Sequence, residues 1–342
     1  MGLRVELFTG PGAEWDACVH NATGWTPFQQ WGWKAVTEQV FHHECFYLAA
    51  RDSWGRLTGV LPLVHPKSLL FGDYLVSMPF VNYGGPLGDD GAVQALVERA
   101  TEIARERRVD LLELRNRGPL AVDAPVSHRK ITCLLDLSPG NAGAVWDGLS
   151  SNVRRKVRRA QKEGFTVSFG LDQVDSFYRV FARHMRDLGT PTLPRRFFKA
   201  LVDQFPRDVW IACAYFGGRP VAGGFGFVWA GELELTWVSA LQEYHRAYAN
   251  MLLYWALIER AANENLRVFN FGRCTPGGGT HRFKQQWGSR DVPLSWYQPV
   301  VARRAATPSP HERAFAWGPV LWKRLPLSLA NALGPSIVRM IP

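Results

Sequence analysis

The chain has 342 residues, enough for two domains with separate cores, and its 46% hydrophobic and 20% charged residues exclude a disordered protein. Its 40 Lys and Arg outnumber 30 Asp and Glu, and the net charge of +10 favours an anionic partner, with a merely solubilising surface as the alternative. No uninterrupted apolar run of about 18 residues and no signal peptide are present, which predicts a cytoplasmic protein without a transmembrane helix.

The cysteines and histidines predict neither a disulfide framework nor a metal site. The five cysteines are scattered and lack CxxC spacing, which indicates a reducing compartment, and each is only a minor candidate for a nucleophile. The nine histidines form no metal-binding spacing, and no G-x-S-x-G motif supports a serine hydrolase.

Hydrophobic periodicity predicts the elements of the first half of the chain. The helix at 91–108 is the clearest, because its apolar residues recur at helical spacing. The other predicted helices are 15–21 and 29–41, and the predicted strands are 5–8, 46–50, 57–64, 111–114 and 131–137.

A similar order of elements then begins again. The predicted helices are 145–162, 174–188, 195–205 and 250–265, and the predicted strands are 166–169, 210–215, 220–229, 232–239, 268–271 and 294–301. This order indicates duplication, with a boundary at the turn Ser138-Pro139-Gly140-Asn141. We therefore expect domains at 1–137 and 138–301, followed by a tail at 302–342, in an α/β (α+β) fold with mixed, largely antiparallel sheets flanked by helices.

Two segments of the second half predict a site. The strand 232–239 leads through a small-residue turn into the helix at 250, and the N–H groups of a helix start favour an anion, so Arg246 and Asn250 are candidate binding residues. The strand 268–271 leads into the glycine loop 277–279, after which Lys284, with Arg273, would hold a phosphate or carboxylate. An ordinary turn and an exposed glycine hairpin remain the alternatives.

Two basic segments predict contact with polyanions or membrane. Helix 145–162 carries six cations in nine positions, with Arg154 and Arg158 as candidate ligands of phosphate in a nucleotide-sugar, lipid diphosphate or tRNA. Its alternative is a solvated face. The tail 302–342 combines basic residues with Trp and Leu, which predicts either peripheral contact with the inner membrane or an arm packed on the body.

The chain resembles the FemAB-like transferases of the GNAT superfamily, most of all the subgroup associated with exosortase systems for exopolysaccharide. The motifs that carry the resemblance are Asn82-Tyr83-Gly84-Gly85-Pro86-Leu87, Ser151-Asn152-Val153-Arg154-Arg155-Lys156, Arg186-Asp187-Leu188-Gly189-Thr190-Pro191, Asn250-Met251-Leu252-Leu253-Tyr254-Trp255, Phe269-Asn270-Phe271-Gly272-Arg273 and Arg282-Phe283-Lys284-Gln285-Gln286-Trp287-Gly288. The resemblance implies two tandem GNAT-like domains and transfer of an acyl or aminoacyl group to an amine of a cell-envelope or exopolysaccharide precursor.

The resemblance also implies which residues form the site. Backbone N–H groups of 235–239 would stabilise the oxyanion. The catalytic candidates are Lys284, Tyr254, His281 and Glu234. The candidates for substrate binding are Asn82, Tyr83, Arg154, Arg158, Arg186, Trp237, Ser239, Arg246, Asn250 and Arg273. We expect no firmly bound cofactor and an anionic or lipid-linked substrate, while aminoacyl-tRNA and an acyl thioester both remain candidate donors.

The sequence departs from the family in ways that favour a rival hypothesis. Asn270 replaces the usual Asp, and Arg246-x-x-Ala249-x-Met251 lacks the glycines that let coenzyme A approach a GNAT loop. The charged coiled-coil arm of some aminoacyl-tRNA-using members is also missing. The rival is a non-catalytic polyanion- or membrane-binding protein on a degraded GNAT scaffold.

Overall fold

The computed structural model describes residues 2–68, 71–301 and 318–341. The helices are α1 Gly12–Asn21, α2 Gly32–Phe41, α3 Asp90–Glu106, α4 Ala142–Gly148, α5 Ser151–Lys162, α6 Val174–Leu188, α7 Arg195–Gln204, α8 Ala249–Asn263, α9 Gly279–Gln285, α10 Gly318–Trp322 and α11 Leu327–Val338. The strands are β1 Arg4–Leu7, β2 Glu44–Arg51, β3 Leu57–His65, β4 Lys67–Ser68, β5 Gly72–Val76, β6 Leu87–Gly88, β7 Leu111–Asn116, β8 Val126–Ser127, β9 Ile131–Asp136, β10 Thr166–Phe169, β11 Val209–Phe216, β12 Arg219–Trp229, β13 Glu232–Ala240, β14 Val268–Cys274, β15 Arg290–Pro293 and β16 Ser295–Tyr297.

The chain forms two compact units, which confirms the mixed α/β class. Within the described residues, the first unit takes 2–129, 293–301 and 339–341, and the second takes 130–292 and 318–338. The sheet of the first unit has the order β1-β2-β3-β5-β7-β16-β8, with β4 beside β5 and β6 beside β3. The sheet of the second unit has the order β10-β11-β12-β13-β14-β9-β15.

Helix α3 organises the core of the first unit. The Asp89 side chain accepts a hydrogen bond of 2.8 Å from the N–H of Ala92 and so caps a free donor at the helix start. One face of the helix is buried against β2, β3 and β7, as its apolar spacing predicts. Its buried residues are Ala92, Val93, Leu96, Val97, Ala100, Ile103 and Ala104.

The second unit places helices on both faces of its sheet. On β12, a Cβ at Gly223 would meet Phe177 of α6, whereas a Cβ at Gly224 would meet Leu257 of α8. Successive residues of a strand point to opposite faces, so α6 and α8 cover opposite sides. Helices α4 and α5 pack against α8, and α7 packs against α6.

The observed division of the chain differs from the predicted boundary at 137/138. Strand β9 pairs with β14 in the second sheet, with Leu134 opposite Asn270, and β16 returns to the first sheet beside β7. Both placements depend on pairing between strands far apart in sequence, which local hydrophobic patterns do not encode.

Three predicted elements are divided or changed. The helix expected at 145–162 consists of α4 and α5, because Leu149 is extended and Ser150 begins a new helix by accepting a hydrogen bond from the N–H of Val153. The strand expected at 294–301 is β16 alone, preceded by β15. The segment after the glycine loop, for which an exposed glycine hairpin was the alternative, is α9.

The described part of the tail packs on the second unit. Helices α10 and α11 contact α6, and Ala330 is buried there. Leu321, Leu329 and Leu333 remain about half exposed on the outside. Residues 302–317 of the predicted tail lie outside the described residues. Among the described helices, none has both the length and the hydropathy needed to cross a bilayer.

Candidate active site

Strands β13 and β14 run parallel but pair only at their beginnings. Their ladder joins Glu232, Leu233 and Glu234 to Val268, Phe269 and Asn270. Beyond this point β13 continues to Ala240 and β14 to Cys274 without further pairing between them. The strands therefore separate at their carboxyl ends, which is where open sheets of this kind bind ligands.

A β-bulge lies on β13 where the separation begins. Phe225 of β12 stands opposite Trp237, and Gly226 stands opposite Leu235, so Thr236 is the additional residue. A Cβ at position 226 would lie 2.2 Å from the carbonyl oxygen of Glu234, which explains the glycine. The bulge turns the strand and places Trp237 and Ser239 on the face covered by α6 and α7.

Two buried carboxylates share one amide within the paired segment of β13 and β14. Asn270 Nδ2 donates hydrogen bonds to Glu232 Oε1 (2.8 Å) and Glu234 Oε2 (3.2 Å). Its Oδ1 accepts hydrogen bonds from Thr132 Oγ1 (2.5 Å) and the N–H of Gly272 (2.8 Å). An Asp at this position could not donate to two carboxylates, so the departure from the family pattern fits this network.

Lys284 lies on α9 and is 3% exposed. Its Nζ donates hydrogen bonds to the carbonyl oxygens of Gly272 (2.6 Å) and Arg273 (3.0 Å), just after the paired segment of β14. Burial lowers the pKa of the Lys284 ammonium, while nearby Cys274, Cys133 and Glu234 oppose this shift. The predicted anion ligand is therefore also a structural support of β14.

His281, on the same helix, is paired with a carboxylate. Its Nε2 lies 2.8 Å from Asp291 Oδ2, and its Nδ1 accepts a hydrogen bond of 3.0 Å from the N–H of Gly277. Since Nδ1 accepts, Nε2 carries the proton that is donated to Asp291. Both ring nitrogens are therefore engaged, which weakens the case for His281 as the catalytic base.

Ser239 and His184 form a second polar pair on the opposite face. Ser239 is 2% exposed, and its Oγ lies 3.0 Å from His184 Nδ1 on α6. Burial lowers the pKa of His184, with a smaller contribution in the same direction from His245. Trp237 packs among phenylalanine rings, including Phe198 at 5.3 Å between ring centroids, and is partly exposed.

Tyr254 of α8 belongs to an aromatic cluster. Its ring stacks on Phe271 at 5.5 Å and contacts Phe283 and Trp287. Burial raises the pKa of its hydroxyl, which disfavours proton acceptance near neutral pH. The structure thus places this predicted catalytic residue in the core.

The turn before α8 presents cations without glycines. Arg246 is exposed, and Asn250 is half-buried with its Oδ1 accepting from the N–H of Met251. Ala249 and Met251 are buried in the core beneath the helix start. One cation of α5 lies beside this turn, because the Arg159 guanidinium is 5.5 Å from the Tyr248 ring centre.

The remaining cations of the predicted site have other partners. Arg154 donates a hydrogen bond to the carbonyl oxygen of Asp147, and the Arg158 guanidinium lies over Trp146 at 5.4 Å. Arg186 binds Asp187 and the carbonyl oxygen of Leu325, so it holds the described tail on α6. Arg273 is half-buried at the end of β14.

The first unit contains a polar cavity of about 220 Å³. Tyr83 lies in its wall, between Phe28 and the Arg117 guanidinium, whereas Asn82 is buried and does not line it. Asn116 Oδ1, also in the wall, is buried without a hydrogen-bond partner among the described residues. A Cβ at Gly85 would lie 1.6 Å from this oxygen, so only glycine fits there.

The sequence did not indicate that Cys133 lies beside Asp291 and Cys274, or that His184 is the partner of Ser239. Cys133 Sγ lies 3.5 Å from Cys274 Sγ and 3.6 Å from Asp291 Oδ1. These residues come from β9, β14 and β15, so no local spacing links them. Thr132, a polar residue in the otherwise apolar segment 131–135, was a signal in the sequence for a buried polar site on β9.

Comparisons with known proteins agree with this geometry. Residues 149–285 match the family model of the acetyltransferase (GNAT) domain. FemX shares the fold with a TM-score of 0.63 and 13% identity, over 88% of this chain and 98% of that one. The tandem GNAT protein from the clavulanic acid biosynthesis pathway gives a TM-score of 0.53 and 13% identity, over 87% of this chain and 98% of its own.

A third structure in the same group is the C-terminal domain of a protein named as a lysylphosphatidylglycerol synthetase, from Agrobacterium fabrum. Its TM-score is 0.57 at 13% identity, over 84% of this chain and 91% of that one. No curated protein matches the chain by sequence. The second unit thus contains a GNAT domain, and close to nine tenths of the chain shares the fold of FemX and of the tandem GNAT protein, as the resemblance to FemAB-like transferases implies.

Proposed function

We propose that the protein is a cytoplasmic N-acyltransferase that transfers an acyl or aminoacyl group to an amine of a cell-envelope or exopolysaccharide precursor. The observation that carries this proposal is the separation of β13 from β14 next to a β-bulge. The carbonyl of the donor would lie along 235–239, where the N–H groups that face away from β12 can stabilise an oxyanion.

Glu234 is the base that the geometry favours over His281 and Tyr254. It occupies the last paired position of β13, where the strands begin to separate, and Thr236 Oγ1 donates to its Oε1 at 3.4 Å. Thr236 is half-buried, so its hydroxyl connects the buried carboxylate to groups outside the core. In the reaction, the attacking amine would lose its proton to Glu234 as the C–N bond forms. Glu234 would return this proton to the departing oxygen or sulfur as the ester or thioester bond breaks, so that the carrier leaves as an alcohol or thiol.

The donor that fits best has a polyanionic carrier other than coenzyme A. The turn with Arg246, Ala249 and Met251 lacks the glycines that allow close approach of a pyrophosphate. Arg159 of α5 lies beside this turn, and the six cations of residues 154–162 suit a nucleic acid backbone by their number. We therefore favour an aminoacyl-tRNA ester as the donor. An acyl thioester is the alternative donor, and the assay described below distinguishes the two.

The cavity of the first unit would by itself bind a polar small molecule. Glycine backbone at 84 and 85, the unpartnered Asn116 Oδ1 and Arg117 supply acceptors, donors and charge for a sugar or peptide. The outward leucines of α10 and α11 would suit a lipid-linked acceptor at the inner leaflet.

A donor panel tests the proposal. The protein is incubated with envelope-precursor amines and either a mixture of aminoacyl-tRNAs or acetyl-coenzyme A, and amide products are identified by mass spectrometry. We expect amide products from aminoacyl-tRNA, and we expect their rate of formation to fall at least 100-fold in Glu234→Gln. Glu163→Gln, at an exposed position, is the matched control and should keep the wild-type rate. RNA binding without any amide product would instead favour the non-catalytic polyanion-binding protein.

A further inference from the structure

Two cysteine side chains meet beneath α9 on neighbouring strands. Cys274 ends β14 and stands opposite Ile131 of β9, so Cys133, two residues further along β9, is its diagonal neighbour on the same face. Their sulfur atoms are 3.5 Å apart. All five cysteines of the chain are free.

The surroundings of this pair favour one thiolate and one thiol. The hydrogen bond from Cys133, aided by Lys284 and His281, lowers the pKa of the Cys274 thiol to about 6. The same contact raises the pKa of Cys133, which remains a thiol. An ionised sulfur beside a protonated one is the arrangement that thiol–disulfide chemistry requires.

One cysteine of the pair, Cys274, is accessible to a small oxidant. Cys274 retains 7% of its surface, and the exposed residues Thr275, Pro276 and Gly277 follow it directly. Cys133, by contrast, is fully buried behind it. A hydroperoxide would therefore reach Cys274 first, and Cys133 would act afterwards as the resolving thiol.

The hydrogen bonds of His281 argue against a metal ion in the same place. Cys133, His281 and Asp291 have ligand atoms within 4.8 Å of one another. However, His281 Nδ1 accepts from the N–H of Gly277, so the proton sits on Nε2, the nitrogen that faces Asp291 and would have to bind the metal. The buried ammonium of Lys284 adds a positive charge beside the cluster.

We propose that Cys133 and Cys274 are a redox-active pair that a hydroperoxide converts into a reversible disulfide. The Cys274 thiolate attacks the peroxide, an S–O bond forms as the O–O bond breaks, and the departing hydroxide takes a proton to become water. Cys133 then attacks the sulfenic sulfur, and its proton leaves with the hydroxyl as a second water. The two thiols lose two electrons, and the peroxide is reduced.

The test counts thiols and does not depend on the proposed transferase activity. Reduced full-length protein is treated with equimolar hydrogen peroxide, denatured and titrated with a chromogenic disulfide, and peptides are mapped by mass spectrometry. We expect free thiols to fall from five to three, with one linkage, Cys133–Cys274, that dithiothreitol reverses. Cys45→Ser is the matched control and should lose two of its four thiols, whereas Cys133→Ser and Cys274→Ser should form no such linkage.

Two results would overturn the proposal. One is the retention of all five thiols by folded wild-type protein, or a linkage between other cysteines. The other is one zinc ion per chain in protein purified without chelator, measured by mass spectrometry of the metal content and lost in Cys133→Ser. Because the decisive measurements use the wild-type chain, poor folding of a serine variant does not affect the outcome.

Discussion

The side-chain nitrogen of Lys284 donates a hydrogen bond of 2.6 Å to the carbonyl oxygen of Gly272. This contact joins α9 to β14 at the place where β14 has left β13, so the lysine supports the wall of the open segment. The structure therefore gives Lys284 a role in stability as well as the charge that the sequence predicted for it.

Replacing Lys284 should affect both properties. Lys284→Met keeps the apolar stem but leaves two carbonyl oxygens without a donor, which we expect to cost about 1–3 kcal/mol of unfolding free energy. Transfer activity of the remaining folded protein should fall at least 100-fold. Urea unfolding and turnover at a permissive temperature check this, with Lys162→Met on exposed α5 as the control. Wild-type turnover by folded Lys284→Met would show that Lys284 does not contribute to the transfer activity.

The shared amide of Asn270 predicts an unfavourable effect of the family's usual residue. Asn270→Asp removes two donors and adds a third carboxylate beside Glu232 and Glu234. We expect a loss of about 2–4 kcal/mol at pH 7, partly regained at acid pH when the new carboxyl can donate again. Chemical denaturation at pH 7 and pH 5 measures this, and exposed Asn263→Asp should change stability by less than about 1 kcal/mol. A stable Asn270→Asp would show that the carboxylates do not depend on the amide.

The reactivity of Cys274 should depend on pH in a characteristic way. Its pKa of about 6 means that the thiolate dominates above pH 6 and decreases about tenfold per unit below it. Iodoacetamide labelling, followed by peptide mapping, should therefore reach half its maximal rate near pH 6. Cys213, whose pKa burial raises to about 12, should stay unlabelled in the folded protein throughout this range. Labelling of Cys274 that begins only above pH 8 would contradict the assigned electrostatics.

Acetyl-coenzyme A should bind weakly or not at all. The reason is the turn at 246–251, where Ala249 and Met251 replace glycines and Tyr248 directly precedes α8. Calorimetry measures the affinity directly. A micromolar dissociation constant would move the protein toward ordinary acetyltransferases.

The described tail should stabilise the second unit through one face and contact membrane through the other. Truncation after residue 302 removes the α10 and α11 contacts with α6, so we expect a lower melting temperature. The triple variant Leu321→Ser, Leu329→Ser and Leu333→Ser changes half-exposed residues and should melt normally. It should sediment less with anionic vesicles than wild type, most clearly at low salt. Equal sedimentation would leave the tail with a structural role alone.

The sequence predicted those parts of the fold that local periodicity encodes. The helix expected at 174–188 is α6 to the residue, and α3 agrees within two residues at each end. The sequence did not predict α9, because Gly277, Gly278 and Gly279 favour a loop. Tertiary contacts of His281 and Lys284 nevertheless stabilise a helix at this place.

The sequence predicted some of the residues that lie at the candidate site, but it did not predict what each of them contacts. Glu234 and Lys284 lie where the strands separate, but Tyr254 belongs to the aromatic core and Arg186 holds the tail. These differences depend on packing partners from distant segments, which one sequence does not reveal.

The position of β16 between β7 and β8 has a consequence for biosynthesis. A nascent chain that has left the ribosome as far as β8 still lacks the strand that joins β7 to it, and that strand follows the entire second GNAT domain. The first sheet therefore has an open edge at β7 until β16 has been translated, after every strand of the second sheet. The sheet of the amino-terminal unit would thus be completed after the sheet of the unit that follows it, in reverse of the order in which most tandem domains mature.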